Sequence, residues 1–491
     1  MPIAYHSMNP LTIIKTLSFL MLIISGFMLP PAGIALYHGE TTELCAFLSV
    51  VMLLAFLSGT LLYGLRKRKA EALSTRDGFL FVTASWIAAS LAGALPFFIS
   101  GAIPSFTDAF FETISGFTTT GASILTDIEA LPRSMLFWRS LTHWLGGMGI
   151  VVLAVAVLPL MGIGGLQLIN AESPGPTVDR ITPRIADTAK LLWIIYIGFT
   201  VAQTGLLMLA GLDLFNALTH TFGTLATGGF STMNASVGHY NSPAVHIIIT
   251  VFMLLAGISF SLHYRILTGR FESLRLDTEV KVYLCIFLAA TLAIIISIYG
   301  ESYDSLFESS VHAAFQAASI LTTTGFATAD FEQWPLFAQG VLFLLMFVGG
   351  SSGSTAGGIK VFRIVILLKQ AFIEMLYLIH PRGIFTLKVS GRIVRKDLVY
   401  SVAGFFFLYI FMLLCTSLVV ASSGHDLTTS FTTALATLGN IGPGFGDTGP
   451  SNNYALFPDY VKWFLGFAML VGRLELYTVL ILFTPEFWNR R

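Results

Sequence analysis

The chain has 491 residues, of which 55% are hydrophobic and only 11% charged, and its formal net charge is zero. About a quarter of a soluble domain is charged, so the composition excludes a soluble globular protein, and the balanced charge gives no reason to expect a nucleic-acid partner. The three cysteines, Cys45, Cys285 and Cys415, are odd in number and widely spaced in or beside apolar segments, which argues against a disulfide framework or a zinc site.

A membrane-spanning helix needs about 20 apolar residues. Ten segments qualify: 11–37, 42–65, 78–102, 135–161, 187–211, 242–268, 278–299, 336–370, 397–421 and 458–484. The first is too long for a signal-peptide core and lacks a convincing small-residue cleavage site, so it reads as a retained span. Four further segments, 106–117, 214–225, 307–321 and 427–436, are helical in pattern but too short to cross. Non-helical backbone at membrane depth survives only where protein or a water-filled cavity shields it. Each short segment is therefore expected to be a re-entrant pore helix that turns back through the residues after it.

Those residues are alike. They read TTTGAS at 118–123, ATGGFS at 226–231, TTTGFA at 322–327 and TLGNIG at 437–442. Aligning Gly121, Gly228, Gly325 and Gly439 gives separations of 107, 97 and 114 residues. A fourfold repeat in a membrane chain points to four units around one axis. The expected fold is an all-α polytopic membrane protein with four pseudo-fourfold helix–pore helix–helix repeats around one ion pathway, plus two extra N-terminal transmembrane helices. The boundaries follow as 1–69 for the helix pair, then 70–172, 173–272, 273–390 and 391–491.

Lys and Arg fix the orientation. Arg66, Lys67, Arg68 and Lys69 follow the second span, Arg180, Arg184 and Lys190 the fourth, and Arg265, Arg270, Arg275 and Lys281 surround the connection after the sixth. Arg382, Lys388, Arg392, Arg395 and Lys396 follow the eighth, and Arg490 and Arg491 end the chain. The positive-inside rule puts these loops and both termini in the cytoplasm. The opposite side offers Asp108, Glu112, Glu301, Asp304, Glu308, Asp330, Glu332 and Asp426, either as an acidic vestibule that concentrates cations or as ordinary solvated loop residues.

A pore helix entering from outside points its C-terminal end, with about half a negative charge, at the membrane centre. The turn after it must aim carbonyls at the axis, which requires backbone angles that Gly adopts without a Cβ clash, and Thr adds a hydroxyl acceptor with a stiff χ1. A ring of such carbonyls can replace the water shell of a monovalent cation. The expected cation-binding residues are Thr119, Thr120 and Gly121; Ala226, Thr227 and Gly228; Thr323, Thr324 and Gly325; and Thr437, Leu438 and Gly439. The turns differ, so the pathway should be only pseudo-fourfold, with fewer or softer ion sites than a TVGYG filter.

At these residues the chain resembles the Trk/Ktr/HKT superfamily of potassium transporters, and within it the bacterial Trk-system membrane subunit of the TrkH type. Further likeness lies in FWRSLTHWLGGMGIVVL at 137–153, AESPGPTVDRITPR at 171–184, GGSSGSTAGGIKVFR at 349–363 and GRLELYTVLILFTPEFW at 472–488. The two helices before the first repeat favour this type over the shorter KtrB type. The resemblance implies inward K⁺ conduction in the bacterial inner membrane, a homodimer, and a docked cytosolic TrkA-type ring that alone binds the regulating nucleotide. It implies no cofactor in this chain beyond the transported ion.

The eighth span contains ten consecutive small residues: Gly349, Gly350, Ser351, Ser352, Gly353, Ser354, Thr355, Ala356, Gly357 and Gly358. Each helical Gly costs about 1 kcal/mol relative to Ala, so the helix should break there, within the membrane. The stretch reads as a movable gate; a close-packed helix contact through small residues is the competing reading. The resemblance implies a loop that blocks the pore from inside. Arg473 is the second gating candidate, because an intramembrane Arg costs about 2.5–3.5 kcal/mol on insertion scales and is usually functional. It either faces the pathway and repels cations or forms a structural ion pair with another helix. Glu475 is a poor partner for it, since residues two apart diverge on a helix.

Arg139 starts the fourth span and could snorkel or brace a pore helix. His143, His220 and His312 lack metal-ligand spacing and read as hydrogen-bonded structure. The chain carries no nucleotide-binding or hydrolase motif and reads as a non-enzyme that binds membrane lipid. The basic loops 265–281 and 382–396 are candidate docking surfaces. An H⁺- or Na⁺-coupled symporter stays open beside the gated channel, although such coupling favours buried acids and matched broken helices, of which the sequence offers few acids away from the outer mouth and one strongly broken helix.

Overall fold

The computed structural model describes residues 9–68, 73–149 and 185–489. The segment 171–184, most of the basic cluster between the fourth and fifth spans, Lys69, the end of the fourth span and the C-terminal Arg490 and Arg491 lie outside the described residues. Helices dominate: α1 (Pro10–Phe27), α2 (Leu29–His38), α3 (Thr41–Gly64), α4 (Thr75–Ser100), α5 (Phe106–Phe117), α6 (Arg133–Gly147), α7 (Ile185–Leu209), α8 (Leu214–Leu225), α9 (Pro243–Ala256), α10 (Phe260–Leu267), α11 (Glu272–Leu276), α12 (Thr278–Ile298), α13 (Leu306–Leu321), α14 (Leu336–Leu345) and α15 (Val361–Ile379). A hairpin of β1 (Lys388–Val389) and β2 (Arg392–Ile393) follows, then α16 (Lys396–Ala421), α17 (Leu427–Leu438), α18 (Asp459–Arg473), α19 (Tyr477–Leu480) and α20 (Pro485–Trp488).

Among the described residues, six helices or helix pairs are long and apolar enough to cross a membrane, counting α1 and α2 as one: α1–α2, α3, α4, α12, α16 and residues 188–209 of α7. The sixth and tenth expected spans are not straight. The chain bends by 98° between α9 and α10 and by 114° between α18 and α19. The eighth divides into α14 and α15, with residues 346–360 non-helical between them. More than one helix is therefore broken, against the expectation of a single strong break. The break between α9 and α10 leaves little trace in the sequence because its residues, Gly257-Ile258-Ser259, are few and small or apolar. The last carries Glu475 and Leu476, both at positive φ (56° and 58°), a conformation no composition signals.

The surface is apolar where the bilayer would lie. Met52 and Phe56 on α3, Leu288, Leu292 and Ile296 on α12, and Phe407, Phe411 and Leu418 on α16 are exposed. The interior instead collects α5, α8, α13 and α17, the four short helices. Each starts on a side-chain cap: Ser105, Asp213, Ser305 and Asp426 accept backbone N–H bonds from Asp108, Asn216, Glu308 and Thr429. Such a cap is worth about 1 kcal/mol. The capping bonds also hold the Asp426 carboxyl below its ordinary pKa. The other end of each short helix is buried.

Close approach by glycine lets these helices pack. Gly93 on α4 faces the Thr113 methyl and Phe117 of α5, and its carbonyl accepts the Trp138 indole N–H at 3.0 Å. Gly146 on α6 and Gly472 on α18 occupy matching places, each against the carbonyl of the last residue of a short helix, Phe117 and Leu438. Replacing Gly146 by Ala should destabilise the fold by about 1–3 kcal/mol through overpacking. The check is a lower thermal midpoint in detergent, with Gly59→Ala on an open helix face as the control that leaves it unchanged or raised.

Candidate ion pathway

The four short helices end in one backbone conformation. In α5, the N–H groups of Thr119 and Thr120 return to the carbonyls of Gly116 and Ser115. The same pair of bonds joins Thr227 to Thr224 and Gly228 to Gly223, Thr323 to Ile320 and Thr324 to Ser319, and Asn440 to Thr437 and Ile441 to Ala436. This is the Schellman ending, whose central residue sits in the left-handed region and is usually Gly or Asn. Here it is Thr119 (φ 53°), Thr227 (53°), Thr323 (56°) and Asn440 (53°). A β-branched residue at positive φ is a genuine outlier and costs about 1–3 kcal/mol.

Two residues later each turn has a glycine at positive φ: Gly121 (82°), Gly229 (80°), Gly325 (82°) and Gly442 (95°). The glycine alignment is therefore corrected in two places, from Gly228 to Gly229 and from Gly439 to Gly442. Thr437 and Leu438 lie in the last turn of α17, where the Thr437 hydroxyl bonds back to Thr433; Gly439 is the helix cap. Ala226 caps α8, while Thr227 and Gly228 are turn residues. Thr119, Thr120, Gly121, Thr323, Thr324 and Gly325 occupy matching places in the first and third turns. The missed signal was Asn440, the one non-glycine residue that suits this cap. Matching Thr-Leu-Gly to Thr-Thr-Gly by residue type drew the register three residues away.

The turns close on one another in order. A Cβ on Gly121 would collide with the Gly228 carbonyl oxygen, on Gly229 with that of Thr324, on Gly325 with that of Ile441, and on Gly442 with that of Thr120, all closer than 3.0 Å. Each glycine thus admits the carbonyl of the next turn, and the fourth returns to the first. Hydroxyl pairs, Thr118 with Thr120 (2.8 Å) and Thr322 with Thr324 (2.7 Å), brace the first and third turns. At the same places the second and fourth have Ala226 and Gly228, and Gly439 and Ile441. Instead, the Asn440 side chain donates to the Thr120 hydroxyl and the Met469 carbonyl, both at 2.9 Å. The Thr119 hydroxyl and the Asn440 amide oxygen are buried without a hydrogen-bond partner in the protein.

The small-residue stretch sits directly against this ring. The Gly357 N–H donates to the Thr323 hydroxyl at 2.7 Å, and Gly357 packs on the Gly439 carbonyl. The Thr355 hydroxyl donates to the Leu225 carbonyl at 2.9 Å, and the Ser351 N–H to that of Gly257 at 2.8 Å. Gly349, Gly350, Ser352, Gly353, Ser354, Ala356 and Gly358 complete the non-helical stretch, and the Phe260 N–H holds it through the Gly353 carbonyl. Arg473 ends α18. It donates to the carbonyls of Thr355 (2.7 Å), Gly146 (2.7 Å) and Gly147 (3.2 Å), tying the stretch to α6. Gly147, Gly257 and Gly357 each pack against the first residue of the next turn, Ala226, Thr322 and Gly439. Arg473 follows Gly472 as Gly147 follows Gly146, so it fills the fourth such place. Glu475 pairs with Arg363.

On the side of the short-helix caps, the acids are not all free. Asp108 pairs with Lys462 at 2.6 Å, and Glu112 is buried against Arg139 at 2.6 Å. Glu112 also accepts from Ser123 and the Ile124 N–H. Glu332 accepts the Gly446 N–H; burial still raises its carboxyl above the ordinary value. The vestibule reading thus loses Asp108 and Glu112. Arg139 braces α5: besides Glu112 it donates to the Ser231 carbonyl at 2.8 Å and lies over Phe230 at 3.6 Å. The histidines are structural. His143 accepts from the Phe230 N–H, His220 bridges Asn216 and Ser231, and His312 meets Thr328. Among the described residues, no group of three His, Cys, Asp or Glu could hold a metal. Removing one partner of the buried pair leaves an uncompensated charge, so Glu112→Ala should cost about 3–5 kcal/mol. The Glu112→Met/Arg139→Met double variant should be less destabilised than either single change, as thermal unfolding in detergent will read.

The sequence profile of the TrkH family, described as a cation transport protein, matches residues 45–490. The chain is 42% identical to the Trk system potassium uptake protein TrkH of Halomonas elongata over 97% of its own length and 99% of that protein. It is 40% identical to the protein of the same name from Salmonella typhimurium, with the same coverage. The crystal structure of the potassium transporter TrkH from Vibrio parahaemolyticus superimposes with a TM-score of 0.87 at 39% identity, covering 98% of this chain and all of that one. A full-length match at this identity and a common fold leave one assignment: the chain belongs to the TrkH family of cation transport proteins.

Proposed function

We propose that this chain is the ion-conducting subunit of a Trk-type potassium uptake system. It passes K⁺ down its electrochemical gradient through the ring of four turns. The observation that carries this reading is the closed cycle of glycine-to-carbonyl contacts, which supports a central pathway bounded by four matching backbones. Four helix C-termini converge there, each with about half a negative charge to offset cation desolvation. Oxygen ligands come from the turn carbonyls and from Thr119, whose hydroxyl has no protein partner. The second and fourth turns lack the Thr pairs of the first and third, so ligand strength alternates around the ring, consistent with softer sites than a TVGYG filter.

In this reading the fold is four pseudo-fourfold units behind an N-terminal helix pair, residues 346–360 are the gate, and Arg473 is its positive latch. Opening requires the Gly357–Thr323, Thr355–Leu225 and Arg473–Thr355 bonds to break together. The basic loops and both termini face the bacterial cytoplasm, where a TrkA-type nucleotide-binding ring would dock on a homodimer. The coupled-symporter reading gains one observation, the half-buried Arg363–Glu475 pair at the last helix break.

The test is flux into proteoliposomes holding the purified chain, with K⁺ or Na⁺ as the only permeant ion and the proton gradient clamped at zero. K⁺ flux well above Na⁺ flux is expected; flux that starts only when a proton or sodium gradient is imposed overturns the channel-like mechanism in favour of coupling. Gly442→Ser and Gly121→Ser should each abolish K⁺ preference, because both glycines sit at positive φ against the carbonyl of a neighbouring turn. Arg473→Ala, and deletion within 351–356, should each raise basal flux; a folded deletion variant with unchanged flux would count against the gate.

A further inference from the structure

We propose that Glu279 is a positioning residue that links the basic hairpin β1–β2 to the intramembrane loop, so that displacement of the hairpin loosens the loop. This rests on reading residues 346–360 as a gate. Glu279 lies in the first turn of α12. One of its carboxylate oxygens accepts two backbone N–H groups: Ser352 in the loop at 2.7 Å and Phe362 at the start of α15 at 3.1 Å. A single oxygen therefore pins the loop and the start of the helix that follows it to one helix. The loop has ten small residues and no helical bonds of its own to hold it there. Charge-assisted bonds of this kind are the stronger class.

The neighbouring residue faces the other way. The Thr278 N–H donates to the Ser390 hydroxyl, and the Ser390 N–H donates to the Thr278 hydroxyl, both at 3.0 Å. Ser390 is the first tip residue of the hairpin, at φ 49°, followed by Gly391 at φ 75°. That pairing is a type I′ turn, which favours Asn or Gly at its first position. Serine is strained there, and its hydroxyl is what reaches Thr278. Asp277 caps α12 by accepting the N–H groups of Glu279 and Val280, so Thr278 and Glu279 move as one rigid turn. Lys369 of α15 also holds the hairpin, donating to the Lys388 carbonyl at 2.7 Å. The hairpin tip and the loop are thus two bonds apart through consecutive residues. A partner that engages the exposed, basic hairpin acts on the loop by this route.

The experiment uses the full chain, with the three native cysteines replaced by serine and Ala356→Cys as reporter within the loop. Maleimide labelling in detergent reads loop exposure, and K⁺ flux in proteoliposomes reads conduction. Glu279→Ala should speed labelling and raise basal flux about tenfold, from the lost charged hydrogen bonds. Glu279→Gln keeps an acceptor oxygen but loses the charge, so it should fall between Glu279→Ala and the parent. Ser390→Ala and Thr278→Val should each raise labelling, and neither should add to Glu279→Ala, as for members of one network. Unchanged labelling in Glu279→Ala, a Glu279→Gln that behaves like Glu279→Ala, or additive Ser390 and Glu279 effects would each overturn the proposal. The surface variants at 278 and 390 carry the test if Glu279→Ala fails to fold. Labelling that responds as expected in a chain that conducts no K⁺ would support the link and reject the transport reading.

Discussion

The carbonyl of one turn can enter the next only because the residue receiving it has no side chain. Gly121, Gly229, Gly325 and Gly442 each receive such a carbonyl, and each also has the positive φ that an L side chain resists. The two requirements coincide at one residue per turn, so these positions tolerate nothing larger. From that contact the rest follows. The short helices must end at one depth, so their N-termini need caps on the opposite side. The helices that follow must pass close to the ring, so they carry Gly146, Gly257 and Gly472 where they graze it.

Threonine at the left-handed position is the opposing choice. Asn440 adopts that conformation readily, whereas Thr119, Thr227 and Thr323 are strained in it. Strain of this kind persists only where the surroundings over-determine the backbone, and here two helix-end hydrogen bonds and a neighbouring turn do so in every case. What threonine supplies is a hydroxyl at the ring. The Thr323 hydroxyl is taken by Gly357 of the loop, the Thr227 hydroxyl by the carbonyl before it, and that of Thr119 by nothing in the protein. The three are chemically one residue in three states of use.

How much of this could be read from the chain depended on the kind of signal. Apolar length pointed to the long spanning helices, six of which stand unbroken among the described residues, and the Thr/Gly stretches to four turns, because both are patterns of residue type. The loop at 346–360 was legible for the same reason: ten small residues in a row leave a helix no side chains to pack. Register was not legible, since Gly228 and Gly229 are adjacent and only backbone angles separate them. The bends after Ala256 and Arg473 are not visible in the sequence because three residues inside an otherwise apolar stretch suffice to turn the chain. Nor did one-dimensional spacing reveal that Glu112 and Asp108 are paired; their partners Arg139 and Lys462 lie 27 and 354 residues away.

The ring is closed by its two ends. The Asn440 side chain meets Thr120 across 320 residues of sequence, and Gly442 admits the carbonyl of that same threonine. A chain emerging from a ribosome places the first three turns in the bilayer long before the fourth exists. Until then the first and third turns each lack one neighbour, and strained backbone with exposed carbonyls must wait at membrane depth, where unmet polar groups are costly. The insertion machinery therefore has to shelter a half-built ring. A chain released early, just short of α17, would present an open polar notch to lipid or to another unfinished copy.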